Sequence, residues 1–356
     1  MRVSSGAVSS ALVALGGVLA IIGVIALLLF AGGYDVARAL DALWTGSVGS
    51  WYSLTSATLV RAVPLMLTGC AIAVAFRAGV WNIGAEGQLL AGGAGATAIA
   101  LTMPTAGIPA LVLALAAGAA AGAAWAGIAA VLRERFGVLE VISTIMLNFV
   151  ALYAVSFLVR GPLQEPTHAY PQSASIADAV HLARIPGAGR LHAGIIVAIV
   201  IVLAAGWVMR HTASGFRLMA VGENPAAAAS AGMIDVRRVT SLAFMTSGAL
   251  AGLAGAIEVL GVTFALYEDL SPGYGYTAIA VALLAGLDPW RVVLTSLLFA
   301  ALEAGAGAMQ RDAGVPSTLV AVIEALLILG VVAAQAIRVR RVSVMTDGDA
   351  PQEGLA

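Results

Sequence analysis

Apolar residues in this chain run in long unbroken stretches separated by short polar ones. Ten stretches stand out: 10–31, 57–76, 86–103, 107–132, 139–159, 192–209, 239–261, 274–287, 291–309 and 316–337. A straight helical crossing of a bilayer takes about 20 mostly apolar residues. Continuous runs of this length also exclude the alternation of a transmembrane strand. The pattern therefore predicts an all-α polytopic membrane protein of about ten transmembrane helices. The 274–287 stretch is short for a straight crossing, so it is either lengthened by its flanks or re-entrant. The first stretch is long and is followed by no convincing small-x-small cleavage site, so it reads as a retained helix. Residues 1–341 form a single predicted transmembrane domain. The 342–356 tail, ending TDGDAPQEGLA, has the polar composition of a disordered segment.

Polar intrusions within this greasy pattern mark the candidate chemistry. Residues 81–88 read WNIGAEGQ and lead directly into an apolar run. Asn82, Gly84 and Gly87 permit unwound backbone there, and such backbone is tolerated at membrane depth only where it lines a cavity or is buried in protein. Gly84 and Gly87 do not build a phosphate loop, since no Lys-Ser/Thr follows and no strand precedes them. Ser271, Pro272, Gly273 and Gly275 predict a second break, just before Tyr276. The two breaks fall in corresponding places of two halves, spans two to five and seven to ten. That arrangement predicts an inverted repeat with the substrate route between the breaks, the first toward the inner side and the second toward the outer.

Ionisable and amide groups at membrane depth are costly and usually face a bundle interior or a wet cavity. Candidate path residues on this basis are Asn82, Glu86, Gln88, Asn148, Glu258, Thr263, Tyr274 and Tyr276. Glu86, Leu90, Gly93 and Thr97 share one helical face, and Glu140, Thr144 and Asn148 form an i, i+4, i+8 stripe. Glu86 either touches the solute or holds the break in shape. Asn148 either lines the path or bonds helices together. Glu258 follows Gly248, Gly252 and Gly255, a small-residue face suited to close helix packing. Arg61 either reaches to the interface or pairs with a carboxylate such as Glu258. Glu303 and Glu324 read as interhelical or dimer contacts.

Composition agrees with a membrane setting. Hydrophobic residues make up 61% and charged residues 10% of the 356, against about 25% charged in soluble domains. The net charge of −1 gives no field that would draw nucleic acid. All 18 cationic residues are arginine, and placing the N-terminus inside puts twelve of them on the inner side. The positive-inside rule then predicts both termini in the cytoplasm. The lone Cys70 and the four scattered histidines suggest no metal site, and no HExxH or GxxxxGK[ST] motif occurs.

The long polar segment over 210–238 contains GENPAAAASAG. Asn224 is suited to cap a short helix, Pro225 to its first position and Gly232 to its end. Physically this is either a docking helix for a soluble partner or a plain interfacial connector.

GFRLMAVGENPAAAASAG (Gly215–Gly232) resembles the cytoplasmic coupling segment of permease subunits of ATP-binding-cassette importers. The nearest branch serves nucleosides and related ribosides or simple sugars and is related to ribose and branched-chain amino acid permeases. FRAGVWNIGAEGQLLAG (Phe76–Gly92) and SPGYGYTAIAVALLAGLDP (Ser271–Pro289) are similar to two further hallmarks of that branch.

The resemblance implies a transport subunit without ATPase activity, moving a nucleoside or related riboside inward. Its implied partners are a second permease, an ATPase that binds ATP and Mg, and an extracytoplasmic substrate-binding lipoprotein. Gly222, Glu223, Asn224, Pro225, Ala228 and Gly232 would then couple to the ATPase. Trp81 stands where relatives often have Phe. Thr263 and Phe264 replace a histidine and glycine common in nucleoside-type relatives, which leaves the substrate open. An ion-coupled secondary transporter or channel using Glu86 and Glu258 is the alternative from a different class.

Overall fold

A computed structural model describes residues 23–230, 234–323, 325–326 and 329–330. Gly232, Glu324, the 342–356 tail and parts of the first and last predicted spans lie outside the described residues. The chain divides into two compact units, one of Met1–Gly49 with Leu302–Ala356 and one of Ser50–Ala301.

In the first unit, α1 (23–31) is followed by α2, Val36–Ser47. Asp35 caps α2 by accepting a hydrogen bond from Arg38 N at 3.1 Å. Gly46 and Gly305 let α2 approach the helix carrying Ala308 at backbone distance. Ile25, Leu29, Ala42, Met309, Val320 and Ile323 belong to the core beneath it. The hydrophobic pattern treats 32–50 as a connection and misses α2, because its buried positions are mainly small residues on one face.

The second unit begins with α3, Trp51–Arg77, whose early turns form a π segment at Leu54–Thr58. Then come α4 (Ala85–Thr102), α5 (Ile108–Phe136), α6 (Glu140–Arg160), α7 (Gly194–His211), α8 (Ala213–Glu223) and α9 (Pro225–Ser230). α10 (Val236–Glu258) continues into a second π segment, Val259–Thr263, and α11 (Tyr274–Leu284) and α12 (Pro289–Asp312) follow. α12 runs across the boundary between the units.

Among the described residues six helices are long and apolar enough to cross a membrane: α3, α5, α6, α7, α10 with its π extension, and α12. The protein is thus an all-α polytopic membrane protein with fewer clear spans than the ten predicted. Two of the ten fall partly outside the described residues. α4 is long enough, but Glu86, Gln88 and its glycines lower its hydropathy. α11 has only 11 residues, about 16 Å of helix, and is too short to cross a core of about 30 Å.

α3 is buried on nearly all sides from Val60 to Ala75, including Cys70. It forms the central column against which α10 and α11 pack. α4, α5 and α10 make the tightest group, and glycine is the reason. A Cβ on Gly252 would lie 2.8 Å from Gly122 Cα and would also collide with Gly118 O. Gly92 and Gly255 make equally close approaches to Gly252 and Leu89 O. Close backbone contact of this kind is how helices gain dispersion energy in lipid, where burial of apolar surface drives little association.

The 161–193 connection is built onto the end of α10 rather than left loose. Ser173, Ile176 and Leu182 donate their backbone N–H groups to Leu266, Phe264 and Leu260 carbonyls, each at 2.9 Å. The same connection reaches the other π segment through Arg190 N to Ser56 Oγ at 3.1 Å and Trp51 Nε1 to Gly187 O at 2.8 Å.

Candidate functional site

The first break, 78–84, is a knot of amides. Asn82 is fully buried, and its Nδ2 donates to Gln88 Oε1 at 3.0 Å and to Ser247 Oγ of α10 at 2.9 Å. Gln88 returns the bond, Nε2 to Asn82 Oδ1 at 2.9 Å, and Gly84 N also donates to that oxygen at 2.9 Å. Reciprocal amide pairing satisfies groups that would otherwise cost a few kcal/mol each at this depth. The sequence carries Asn82 and Gln88 as an unexplained polar pair; Ser247, one of two serines on α10, gives no signal of its own.

α6 supports the break from one side. Thr144 Oγ1 accepts from Ile83 N at 3.3 Å, Asn148 Nδ2 donates to Ile83 O at 2.9 Å, and Gly87 N donates to Asn148 Oδ1 at 2.8 Å. The predicted stripe is therefore real but divided. Thr144 and Asn148 meet the break, whereas Glu140 pairs with Arg133 at 3.6 Å. Gly87 lies inside α4, not in unwound chain, and a Cβ there would sit 2.9 Å from Asn148 Oδ1. Its role is to let α6 come close.

The second break meets the first. Glu86 Oε2 accepts from Gly275 N at 2.7 Å, and the Ser271 hydroxyl is a second hydrogen-bond partner of the same carboxylate. Ser271 Oγ in turn accepts from Gly273 N at 3.1 Å and Tyr274 N at 3.0 Å. Glu86 thus sits in the first turn of its own helix and caps α11, where two helix N-termini present positive partial charge to one carboxylate. Gly273 starts α11 from a left-handed backbone (φ 102°), and Gly275 lies against the backbone of Glu86. The expected separation into an inner and an outer break is replaced by direct contact. Pro272 precedes α11 in the turn.

Tyr276 completes this cluster. Asn148 Nδ2 donates to its hydroxyl at 3.3 Å. Glu86, Asn148, Ser271 and Tyr276 line a cavity of about 110 Å³, together with Glu268 and Asp269. Tyr276 is half-exposed, whereas Tyr274 is buried. Arg160 grips Glu268 with Nε at 2.6 Å and Nη2 at 2.9 Å, and with the Ser156 hydroxyl it holds that carboxyl down at about 2. Sequence reasoning leaves out Arg160, Ser156 and Glu268, whose partners lie more than a hundred residues apart.

Glu258 and Thr263 lie elsewhere. Glu258 is buried at the start of the second π segment, and the opposite charges acting on it come from Arg61 and Arg190. Arg61 also donates to Ala57 O at 3.2 Å. Thr263 Oγ1 donates to Ala265 O at 2.9 Å within its own turn.

At the opposite end of α3 the polar segment makes two helices. α8 is capped by Thr212, whose Oγ1 accepts from Gly215 N at 3.2 Å; the sequence reading expects only the helix after it. Asn224 caps α9, Oδ1 accepting from Ala227 N at 3.0 Å, with Pro225 at the first position and Ala228 buried. Glu223 is the last residue of α8. Gly222 lies against the Arg77 carbonyl and Gly79, so closely that a Cβ would be 2.8 Å from Arg77 C. Arg77 then reaches the end of α11, donating to Gly286 O at 3.0 Å and Leu287 O at 3.2 Å. Gly222 therefore touches the chain at the root of the first break.

Residues 54–332 match the family model of permease components of branched-chain amino acid transport systems. The chain belongs to this family. It is the membrane permease subunit of an ATP-binding-cassette importer.

The permease is 40% identical to a guanosine ABC transporter permease protein of Bacillus subtilis, over 88% of this chain and 90% of that one. It is 38% identical to a glucose ABC transporter permease protein of Haloferax volcanii, over 94% of this chain and 91% of the relative. A nucleoside ABC transporter permease protein of Lactococcus lactis is 33% identical, over 85% of each chain. The Bacillus and Lactococcus relatives each come with a second, more distant permease protein that also matches, at 28% identity. No solved structure matches significantly.

Proposed function

We propose that the permease carries a nucleoside or related riboside into the cell, powered by a separate ATPase that binds ATP and Mg. It works beside a second, non-identical permease and receives solute from an extracytoplasmic binding lipoprotein. Two relatives named for guanosine and nucleosides, each with a second permease, support the riboside and the heterodimer. The arginine distribution supports α8 and α9 in the cytoplasm, with both termini, in a bacterial inner membrane.

The observation that carries the coupling role is the seat of Gly222. The Gly222–Ala228 segment meets the ATPase, and its first residue rests on Arg77 and Gly79, just before the Asn82 knot. A displacement of α8 is passed to the root of the break and, through Arg77, to the end of α11. Both broken segments then move with one input. Asn82 and Gln88 hold the first break rigid enough to transmit this. Glu86, Asn148 and Tyr276 bring hydrogen-bonding groups to the cavity, where sugar hydroxyls could be handed on. At about 110 Å³ that cavity is below the roughly 300 Å³ of common ligand pockets.

The test is uptake of labelled purine and pyrimidine nucleosides, ribose and glucose by the importer assembled with its ATPase, second permease and binding protein. Saturable nucleoside uptake, competed by other nucleosides and insensitive to uncoupler, is the expected result. Preferential glucose uptake would place the permease with its Haloferax relative. Uptake abolished by uncoupler with ATP intact would favour the ion-coupled alternative.

A further inference from the structure

A larger cavity than the one at Glu86 lies away from the broken helices. α7 and α10 both cross the membrane yet make almost no contact with each other, each packing instead on α3. The gap between them is a groove of about 750 Å³, closed at one end by α8. Its walls are aliphatic along their length, with Ile201, Ala205, Val208, Leu242 and Leu250 facing it. Val208 and Leu242 are exposed at its lips. From Arg238 to Leu250 the groove follows α10 for about 18 Å, so its deep end lies at mid-span, out of reach of a soluble protein.

The mouth is different. Arg217 of α8 and Arg238 at the start of α10 both line it and are exposed. Neither guanidinium forms an ion pair among the described residues. The one acidic residue there, Asp235, is engaged in capping α10 through Arg238 N at 3.1 Å. An apolar slot at bilayer depth that ends in two guanidinium forks has the chemistry of a phospholipid. Basic pockets between membrane helices collect anionic headgroups, and a guanidinium matches a phosphate with two parallel hydrogen bonds.

We propose that this groove is a binding site for an anionic phospholipid, its acyl chain between α7 and α10 and its phosphate between Arg217 and Arg238. The lipid would join α8 to α10 and so brace the segment that ends in Gly222. The site is separate from the cavity at Glu86 and does not depend on which solute is carried.

The experiment places the assembled importer in nanodiscs of equal phosphatidylglycerol and phosphatidylcholine and counts the lipids retained per complex by native mass spectrometry. Wild type should retain phosphatidylglycerol preferentially. The Arg217→Gln/Arg238→Gln variant should lose that retention roughly thirtyfold, the equivalent of two contacts of about 1 kcal/mol each. Ala205→Phe, which fills the slot without touching the arginines, should reduce retention of both lipids. Arg135→Gln, an exposed arginine outside the groove, should change nothing.

Unchanged phosphatidylglycerol in the double variant overturns the proposal. So does a Leu242→Cys cross-link to the second permease or to the ATPase in place of lipid, which would make the groove a protein interface. If Ala205→Phe fails to assemble, the exchange of the two exposed arginines decides the matter alone.

Discussion

Gly222→Ala is the sharpest perturbation available in this permease. A methyl group at Gly222 would stand 2.8 Å from Arg77 C and 3.1 Å from Gly79 N, with the Arg77 carbonyl oxygen closer still. The obstacle is backbone, so no side chain can rotate out of the way. Restoring an ordinary carbon–oxygen contact of about 3.3 Å moves the end of α8 off α3 by on the order of 1 Å. Overpacking of this kind costs about 1–3 kcal/mol, which lowers the seated population of α8 by about 5- to 150-fold relative to the displaced one. The assay is solute accumulated per ATP hydrolysed by the reconstituted importer. That ratio should fall by at least about fivefold, with assembly and membrane insertion retained. Gly127→Ala is the control, because a Cβ there meets nothing within 4 Å. A Gly222→Ala importer with the wild-type ratio and an unchanged melting temperature would refute the transmission argument.

Three other outcomes are expected. Glu86→Gln keeps the shape but removes the charge that caps α11, a charge-assisted bond worth about 1.5–3 kcal/mol; transport should fall at least tenfold, while Glu140→Gln, in a partly exposed pair, stays within about fivefold. Gly252→Val should prevent the close approach of α10 to α5 and lower the melting temperature in detergent by several degrees; an unchanged melt would remove the glycine contact as a stabilising feature.

The Arg160–Glu268 pair should make the loop before α11 acid-sensitive. The carboxyl is held at about 2 by Arg160 and then Ser156, below its unfolded value of about 4.3. Its contribution is present above about pH 4.3 and is lost as pH falls toward 2. Hydrogen exchange of residues 264–273 in wild type and Arg160→Gln should differ at pH 6, and the difference should shrink steadily from about pH 4.3 toward pH 2; a difference undiminished near pH 2 would refute the linkage.

Span existence was legible wherever apolar runs were long, because length and continuity are one-dimensional properties. α2 and α8 were not, since both are short and their stability comes from packing and from caps at Asp35 and Thr212. The stripe of Thr144 and Asn148 was visible as helical periodicity, but its partner was not, for Ile83 lies about sixty residues away. The two breaks were found through glycine and amide composition. That they touch through Glu86 and Gly275 could not be read, because a sequence carries no depth coordinate. Glu86 was left between solute contact and support; in the structure it caps α11 and also lines the small cavity.

The shortness of α11 bears on how the chain enters the bilayer during synthesis. Eleven residues give too little apolar length to be released sideways into lipid as an independent unit. The turn at Gly286 and Leu287 leads straight into α12, so the two must partition together as a hairpin. The irregular 264–273 stretch before it has backbone groups that no helix satisfies. They are met by Ser173 and Ile176, which are translated about ninety residues earlier. The 161–193 connection and the segment leading into α11 are thus each other's hydrogen-bond partners, so neither settles without the other.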